Sequence, residues 1–372
     1  MESIFNFLWK RAFLKGQCFL IKHGGLTMER KTRKSRRAKP RKKALKFTIT
    51  IGAIVFLLTS GFGVYALMKA KNAYDHSQVD LNREGGKSDL REAELTFDDP
   101  FSILLLGIEN YSSGNKSGLA DTQIVLTVDP AASEIHMVTV PRDTRVNIEN
   151  AGEYSGIHKL NAAYSYGAIT GYGAIKLQVE TVEKFLNIPI DNFVAVNFEG
   201  FRGIVDALGG ITVDIKEDFW EENFYDGSKI EFEKGTAHLN GEESLAFVRM
   251  RKLAINAVYS REERQRQFLA ATIDQAMSAG TIFKIGQITD ILGDNVETDL
   301  TAKQIYALQK QLSKADSLAI NTIQIDGMDQ IVDRISYYIP TEESLKSVSM
   351  ELRTILKLDN DGSFVTNADF AE

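Results

Sequence analysis

Apolar and polar positions alternate after residue 100 in a way that predicts a domain of both strands and helices. Continuous apolar runs, typical of buried strands, cover 101–107, 122–129, 134–140, 193–198 and 211–215. A short polar turn joins the second and third runs and predicts a hairpin. Segments with helical periodicity cover 162–167, 171–186, 199–208, 241–247, 261–279, 301–315 and 341–356. Strands mixed with helices predict a layered α/β domain with a mixed central sheet.

One earlier apolar run differs from these. Residues 47–68 contain no charged side chain, and a helix of this length crosses a hydrocarbon core of about 30 Å. The segment before it, Arg30–Lys46, is rich in Lys and Arg, which remain on the cytoplasmic side. No small-x-small cleavage site follows, so we expect a retained anchor and not a cleaved signal peptide. The chain is therefore predicted to be a single-pass protein of the cell membrane, with the domain outside.

This topology divides the chain into segments. The predicted segments are a cytoplasmic basic tail at 1–46, a transmembrane helix at 47–68, an extracellular stalk at 69–99, a catalytic domain at 100–280 and its helical and strand extension at 281–372. Residues 1–27 fit the tail poorly. Gly24-Gly25 can be encoded as a ribosome-binding sequence shortly before Met28, so we expect translation to start there. The alternative is a genuine amphipathic N-terminal segment.

The charge distribution bears on the partners. Residues 1–46 hold 15 of the 44 Lys and Arg residues and two of the 50 Asp and Glu residues, so the remainder carries 19 more acidic than basic groups. A basic run can bind nucleic acid or anionic headgroups, and its position beside the apolar run favours the lipid bilayer. We therefore expect no nucleic-acid partner. The single cysteine, Cys18, precedes the apolar run, and an exported domain without disulfides suits a Gram-positive surface.

Two acidic residues lie next to predicted strand ends. Asp121 opens the first strand of the hairpin, and Asp143 follows the second, directly after Arg142. These two points lie at the same edge of a hairpin, so the carboxylates are expected to approach each other. Carboxylates together with water and phosphate oxygens are the usual ligands of Mg²⁺. The pair predicts a site for Mg²⁺ or Mn²⁺, and the alternative for each acid is a structural turn residue.

Arginine is concentrated near residue 250. On the predicted helix, Arg261, Arg264, Gln265 and Phe268 lie on one stripe at i, i+3, i+4 and i+7. Arg249 and Arg251 share a face if that segment is extended. The planar guanidinium group matches phosphate oxygens, so the cluster predicts a diphosphate site. The alternative is a solvated charged helix face.

A second candidate anion site precedes the helix predicted at 162–167. There Lys159 lies close to Asn161, a candidate N-cap, and the alternative is plain capping. No Ser/His/Asp arrangement or nucleophile set for covalent catalysis is apparent.

Seven segments in order resemble one family. They are Leu119-Ala-Asp-Thr122, Val140-Pro-Arg-Asp-Thr144, Lys159-Leu-Asn-Ala-Ala-Tyr164, Val194-Ala-Val-Asn-Phe-Glu-Gly-Phe201, Val205-Asp-Ala-Leu-Gly-Gly210, His238-Leu-Asn-Gly241 with Ala246-Phe-Val-Arg-Met-Arg251, and Arg261-Glu-Glu-Arg-Gln265. Over residues 98–280 the chain resembles the LytR-CpsA-Psr family. The resemblance implies an α/β/α sandwich with a long apolar pocket. It also implies a phosphotransferase that moves a glycopolymer, such as teichoic acid or capsule, from a polyprenyl diphosphate carrier to peptidoglycan.

The resemblance also implies residue roles. Those that match the diphosphate-binding residues of the family are Arg249, Arg251, Arg261 and Gln265, and Lys159 joins them as a candidate. Those that match its metal-associated acids are Asp121 and Asp143, with Arg142 beside them. Leu119 and Val258 stand where the family usually has Arg and Asp. The alternatives are a non-catalytic polyprenyl-phosphate or glycan binder and a membrane-bound transcriptional regulator.

Overall fold

The computed structural model describes part of the chain after residue 77. The described residues are 78–93, 95–96, 98–109, 118–250, 258–277, 295–301, 304–305, 308, 319–359 and 363–370. The predicted tail at 1–46 and the transmembrane helix at 47–68 lie outside them, as does most of the helix predicted at 301–315. Among the described helices, none has the length and apolar character needed to cross a membrane.

Fourteen strands lie in the described part of the chain. Their bounds are β1 (Phe101–Glu109), β2 (Leu119–Asp129), β3 (Glu134–Thr139), β4 (Arg145–Ile148), β5 (Gly156–Lys159), β6 (Asn192–Asn197), β7 (Ile211–Ile215), β8 (Phe219–Glu222), β9 (Lys229–Phe232), β10 (Gly235–Leu239), β11 (Val296–Thr298), β12 (Ala319–Ile323), β13 (Gly327–Val332) and β14 (Ile335–Pro340). Six of them form the central sheet in the order β11-β6-β1-β2-β3-β12. β1 pairs with β6 and β3 pairs with β12 in parallel, whereas the other pairs are antiparallel. The mixed sheet and the β2–β3 hairpin confirm the predictions.

Six α-helices are described. They are α1 (Ala162–Thr170), α2 (Ala174–Leu186), α3 (Phe198–Leu208), α4 (Gly241–Arg249), α5 (Arg261–Met277) and α6 (Glu342–Ile355). Successive side chains of β1 point to opposite faces of the sheet, as the period of a strand requires. Leu104 packs in one buried cluster with Phe185 of α2 and Leu345 of α6. Ile103 packs in another, with Leu269 of α5 against it. Helices therefore cover both faces of the sheet, as the resemblance implied.

Side-chain caps begin the two helices that carry Arg249, Arg261 and Arg264. Asn240 and Glu243 form a capping box at the start of α4, since each side chain accepts a hydrogen bond from the other residue's backbone N–H. Ser260 Oγ accepts a hydrogen bond from the backbone N–H of Glu263, 3.1 Å away, at the start of α5. This cap places Arg261 in the first turn of α5.

Candidate active site

One guanidinium group joins the two predicted acids. Nη1 of Arg142 lies 2.6 Å from Oδ2 of Asp121, and its Nε lies 3.3 Å from Oδ2 of Asp143. Lys159 Nζ donates to Oδ1 of Asp143 at 2.7 Å, and Asn161 Nδ2 donates to Oδ1 of Asp121 at 3.1 Å. The carboxylates therefore approach each other as the hairpin predicts, and two cations balance their two charges.

A tight turn presents these groups. The backbone N–H of Thr144 donates to the carbonyl of Pro141 at 3.0 Å, which closes a four-residue turn with Arg142 and Asp143 at its centre. The backbone N–H of Asn161 then donates to the carbonyl of Arg142 at 3.1 Å, which ties the start of α1 to this turn.

The predicted anion site at the start of α1 takes a different form. Asn161 is the N-cap residue of α1, as predicted, but its side chain makes no capping hydrogen bond. Its amide binds Asp121 instead. Lys159 binds Asp143 and does not line either cavity described below. This placement makes Lys159 a positioning residue for Asp143, and its contact with a diphosphate stays a prediction.

An apolar cavity of about 690 Å³ lies between the central sheet and helices α3, α4 and α5. Its apolar lining comprises Leu105, Leu106, Ile124, Val194, Val196, Phe198, Phe201, Ile204, Val205, Leu245, Val248, Phe268 and Leu269. The polar side chains of this lining are Glu109, Asp121, Thr122, Asn197, Glu221, Arg249, Arg261, Gln265 and Thr272. A cavity of this kind can hold a single hydrocarbon chain whose charged end meets the polar groups.

Two of the predicted diphosphate-binding residues reach this cavity from α5. Arg261 Nη2 donates to the backbone carbonyl of Asp121 at 3.4 Å, and Gln265 Nε2 donates to Oγ1 of Thr122 at 3.2 Å. Phe268, one turn further along α5, lines the same cavity. The helical stripe predicted from i, i+4 and i+7 spacing is confirmed for these three residues.

Arg249 lies against two aromatic rings that also contact each other edge to face. It is the last residue of α4, and its guanidinium carbon lies 4.8 Å from the ring centre of Phe198 and 4.4 Å from that of Phe224. Cation–π contacts of this kind fix the plane of the guanidinium group. The prediction of an extended segment that begins at Arg249 is wrong for Arg249 itself, because this residue is helical. Arg251 lies outside the described residues, so its place in the site stays a prediction.

Arg264 has a different partner set from the rest of the predicted stripe. The side chain is fully buried and donates to the backbone carbonyl of Phe247 at 3.0 Å and to those of Met250 and Tyr259. These carbonyls belong to the end of α4 and to the residues just before α5. Arg264 therefore holds the two helices together, and its prediction as part of the phosphate-facing stripe is wrong.

A second cavity, of about 440 Å³, shares Asp121, Thr122, Arg261 and Gln265 with the apolar cavity. Its other lining residues include Arg142, Asp143, Glu262, Arg266, Asp329 and Tyr338. These side chains are mostly polar. The four shared residues therefore border an apolar space and a polar one.

The residues around Asp121 bear on the predicted metal. Within the described ranges, no three His, Cys, Asp or Glu side chains are grouped in a way that could hold a metal ion. Asp121 and Asp143 supply the hard oxygen donors that Mg²⁺ prefers, but they are paired with Arg142, Lys159 and Asn161. The donor set fits an ion that also takes oxygens from a bound diphosphate, because Mg²⁺ is commonly held by one or two carboxylates plus substrate phosphates.

Known proteins of one family are similar to this chain over most of its length. The model of the LytR_cpsA_psr family matches residues 64–354. This chain belongs to the LytR_cpsA_psr family. A curated member, the polyisoprenyl-teichoic acid–peptidoglycan teichoic acid transferase TagV of Bacillus subtilis (strain 168), is 41% identical over 327 residues, which cover 87% of this chain and 81% of TagV.

Solved structures of LytR_cpsA_psr proteins share the fold. The crystal structure of B. subtilis TagV superposes with a TM-score of 0.61 at 39% identity and covers 71% of this chain and all of that one. A structure of TagT with bound octaprenyl pyrophosphate lipid superposes with a TM-score of 0.57 at 29% identity and covers 75% of this chain and 99% of that one.

Some residues of the two cavities were not predicted from the sequence: Phe198 and Phe224, which contact Arg249, and Arg266, Asp329 and Tyr338 of the second cavity. Phe224 lies between β8 and β9, and Asp329 lies on β13. Neither hairpin was predicted. The β-branched and aromatic residues in 331–339 were an available signal for the strands of the second hairpin.

Proposed function

We propose that this protein is a membrane-anchored transferase that moves a teichoic-acid type glycopolymer from a polyprenyl diphosphate carrier to peptidoglycan. The observation that carries the proposal is the junction of an apolar cavity with Asp121, Arg261 and Gln265. Such a junction matches a ligand with a long hydrocarbon chain and a diphosphate head. The name of TagV and the lipid bound to TagT support the same class of donor.

The donor has two chemically different parts, and the site provides for each. The prenyl chain occupies the apolar cavity, where burial of its methylene groups supplies most of the binding energy at about 0.8 kcal/mol each. Arg249, Arg261 and Gln265 donate hydrogen bonds to the diphosphate oxygens. Charge-assisted hydrogen bonds from guanidinium groups to phosphates are the strongest of this kind.

The transfer step is a substitution at phosphorus. A hydroxyl oxygen of the peptidoglycan acceptor forms a bond to the phosphorus that carries the glycopolymer, while the bond from this phosphorus to the bridging oxygen breaks. The polyprenyl monophosphate leaves with the electron pair of that bond. Asp121 or Asp143 takes the hydroxyl proton. Arg261 and Arg249 stabilise the negative charge that develops on the phosphate oxygens.

We propose Asp121 and Asp143 as the residues that hold Mg²⁺, or Mn²⁺, together with the diphosphate. When bound, the ion neutralises phosphate charge and polarises the phosphorus–oxygen bonds. Arg142 keeps both carboxylates at one place before the donor arrives, since it contacts each of them.

The test is transfer by the purified full chain in lipid nanodiscs with Mg²⁺. A fluorescent polyprenyl diphosphate glycopolymer and peptidoglycan strands are expected to give a covalent product joined by a phosphodiester. Donor binding without any product would contradict the transferase and favour the non-catalytic binder. Release of the glycopolymer to water in the presence of acceptor would favour a diphosphatase.

A substitution that fills the apolar cavity is expected to have opposite effects on lipid binding and on the stability of the fold. Val194 lies in the middle of β6 and lines the cavity. Val194→Trp is expected to weaken binding of a polyprenyl diphosphate at least about tenfold, because the new ring occupies the space of the chain. The same change is expected to raise the free energy of unfolding by about 0.5–2 kcal/mol, as cavity-filling substitutions commonly do.

Both quantities are read from lipid titration and denaturant unfolding. Val365→Trp is the matched control, because Val365 is 74% exposed and lies outside the cavity. Unchanged lipid affinity in Val194→Trp, with the fold intact, would mean that the chain binds elsewhere.

We also propose that residues 47–68 anchor the chain, with the domain on the outer side. The uncharged run behind a basic segment supports this topology. Protease added to intact, wall-stripped cells is expected to digest the domain, and full protection would exclude this orientation.

A further inference from the structure

The second cavity is lined by parts of the chain that are distant in sequence. They are the turn with Arg142 and Asp143, the first two turns of α5, and the β13–β14 hairpin. The hairpin is attached to the turn, since the backbone N–H of Tyr338 donates to the carbonyl of Asp143 at 2.9 Å. The hairpin is therefore held beside Asp143.

The hairpin itself is fixed by a tyrosine. The hydroxyl of Tyr338 donates to the carbonyl of Ile325 at 2.8 Å. Burial, together with the nearby Asp326 and Asp329, raises the pKa of Tyr338 to about 12, so this hydroxyl keeps its proton at neutral pH. Asp329 pairs with Tyr338 across the two strands, so its carboxylate is carried by a rigid element.

Two charged side chains of this cavity have no partner in the described part of the chain. Arg266 on α5 and Asp329 on β13 make no hydrogen bond or ion pair with any described residue, although both line the cavity. A guanidinium donor and a carboxylate acceptor in one cavity are suited to the hydroxyl and amide groups of a sugar.

The geometry of phosphoryl transfer indicates which substrate occupies the second cavity. In phosphoryl transfer the attacking and leaving oxygens lie roughly in line on opposite sides of phosphorus. If the leaving lipid phosphate lies at the mouth of the apolar cavity, the attacking hydroxyl arrives from the far side of the shared residues. The second cavity lies there, because Asp121, Thr122, Arg261 and Gln265 border both spaces.

We infer that the second cavity binds the acceptor saccharide of peptidoglycan, with Arg266 and Asp329 as contacting residues. This inference rests on the proposed function, because it names the site of the second substrate. It assigns the β13–β14 hairpin to acceptor recognition and leaves the donor to the apolar cavity.

The test separates the Michaelis constants of the two substrates. Full-length protein in nanodiscs is titrated with a soluble peptidoglycan oligosaccharide at saturating donor, and then with donor at saturating acceptor. Asp329→Asn and Arg266→Gln are each expected to raise the acceptor KM about tenfold, since a hydrogen bond to a charged group is lost. The donor KM and kcat are expected to remain within about twofold of wild type.

The matched control is Asp333→Asn, the same chemical change in the turn of the same hairpin. Asp333 has a φ of 52°, which asparagine also tolerates, and it does not line the cavity. An unchanged acceptor KM in both cavity variants, or a rise in the donor KM instead, would overturn the inference.

A binding measurement distinguishes failure of the acceptor site from failure of the proposed function. Calorimetric titration of the oligosaccharide into the protein without donor is expected to show binding that Asp329→Asn weakens about tenfold. If wild type transfers nothing but binds the oligosaccharide in this way, the proposed function fails and the acceptor site stands. If the oligosaccharide binds wild type and Asp329→Asn equally, the acceptor site fails.

Discussion

Arg261→Ala is expected to lower kcat/KM for glycopolymer transfer by about 10²–10³-fold, comparable to removal of an oxyanion-hole donor. Arg261 lines both cavities and contacts the backbone of Asp121, so its guanidinium group lies where the two substrates meet. Its loss leaves developing phosphate charge without a fixed partner. Arg261→Lys is not expected to restore transfer, because an ammonium group cannot donate two parallel hydrogen bonds.

Initial rates of transfer and thermal unfolding are both needed to interpret this change. The melting temperature of Arg261→Ala is expected to stay close to that of wild type, because Arg261 lies in the first turn of α5 and is only partly buried. A variant that keeps wild-type rates would remove Arg261 from the diphosphate site.

Arg264→Ala is expected to lower the free energy of unfolding by about 3–5 kcal/mol, because each buried carbonyl that loses its donor costs about 1–3 kcal/mol. The side chain is fully buried, and its removal leaves the carbonyls of Phe247, Met250 and Tyr259 without this donor. A cavity the size of the lost side chain adds to the cost.

Denaturant unfolding followed by circular dichroism measures this loss. Arg261→Ala is the matched control, because the same substitution is made one turn away on the same helix. If Arg264→Ala unfolds like wild type but loses transfer, then Arg264 acts on substrate and its assignment to the core is wrong.

The contrast between Arg261 and Arg264 shows what periodicity can predict. The spacing places both on neighbouring positions of one helix, and only long-range packing decides which faces the sheet. Arg261 meets Asp121 of β2, whereas Arg264 meets the end of α4. No local property of the two arginines distinguishes these surroundings.

The elements that were predicted correctly depend on local signals. The β2–β3 hairpin has continuous apolar strands and a short polar turn, so its pairing, and with it the approach of Asp121 and Asp143, was predictable. The β13–β14 hairpin has the same topology but turns at Asp333 and Arg334, both with positive φ. Gly or Asn is the usual sequence signal for such a turn, and its absence left the strands unpredicted.

The two cavities were not predictable in detail, because their walls are assembled from distant segments. Val194 of β6, Phe201 of α3 and Phe268 of α5 meet only after the sheet and helices have packed. The resemblance to the family implied an apolar pocket but did not identify its lining in this chain.

We propose that one site serves both the carrier lipid and the transfer chemistry. A crystal structure of the protein with a polyprenyl diphosphate and Mg²⁺ is the decisive experiment. We expect the prenyl chain in the apolar cavity beside Val194 and Phe268, and the diphosphate within hydrogen-bonding distance of Arg261 and Gln265. A diphosphate on the order of 20 Å from Asp121 and Asp143, well beyond hydrogen-bonding range, would contradict the shared site.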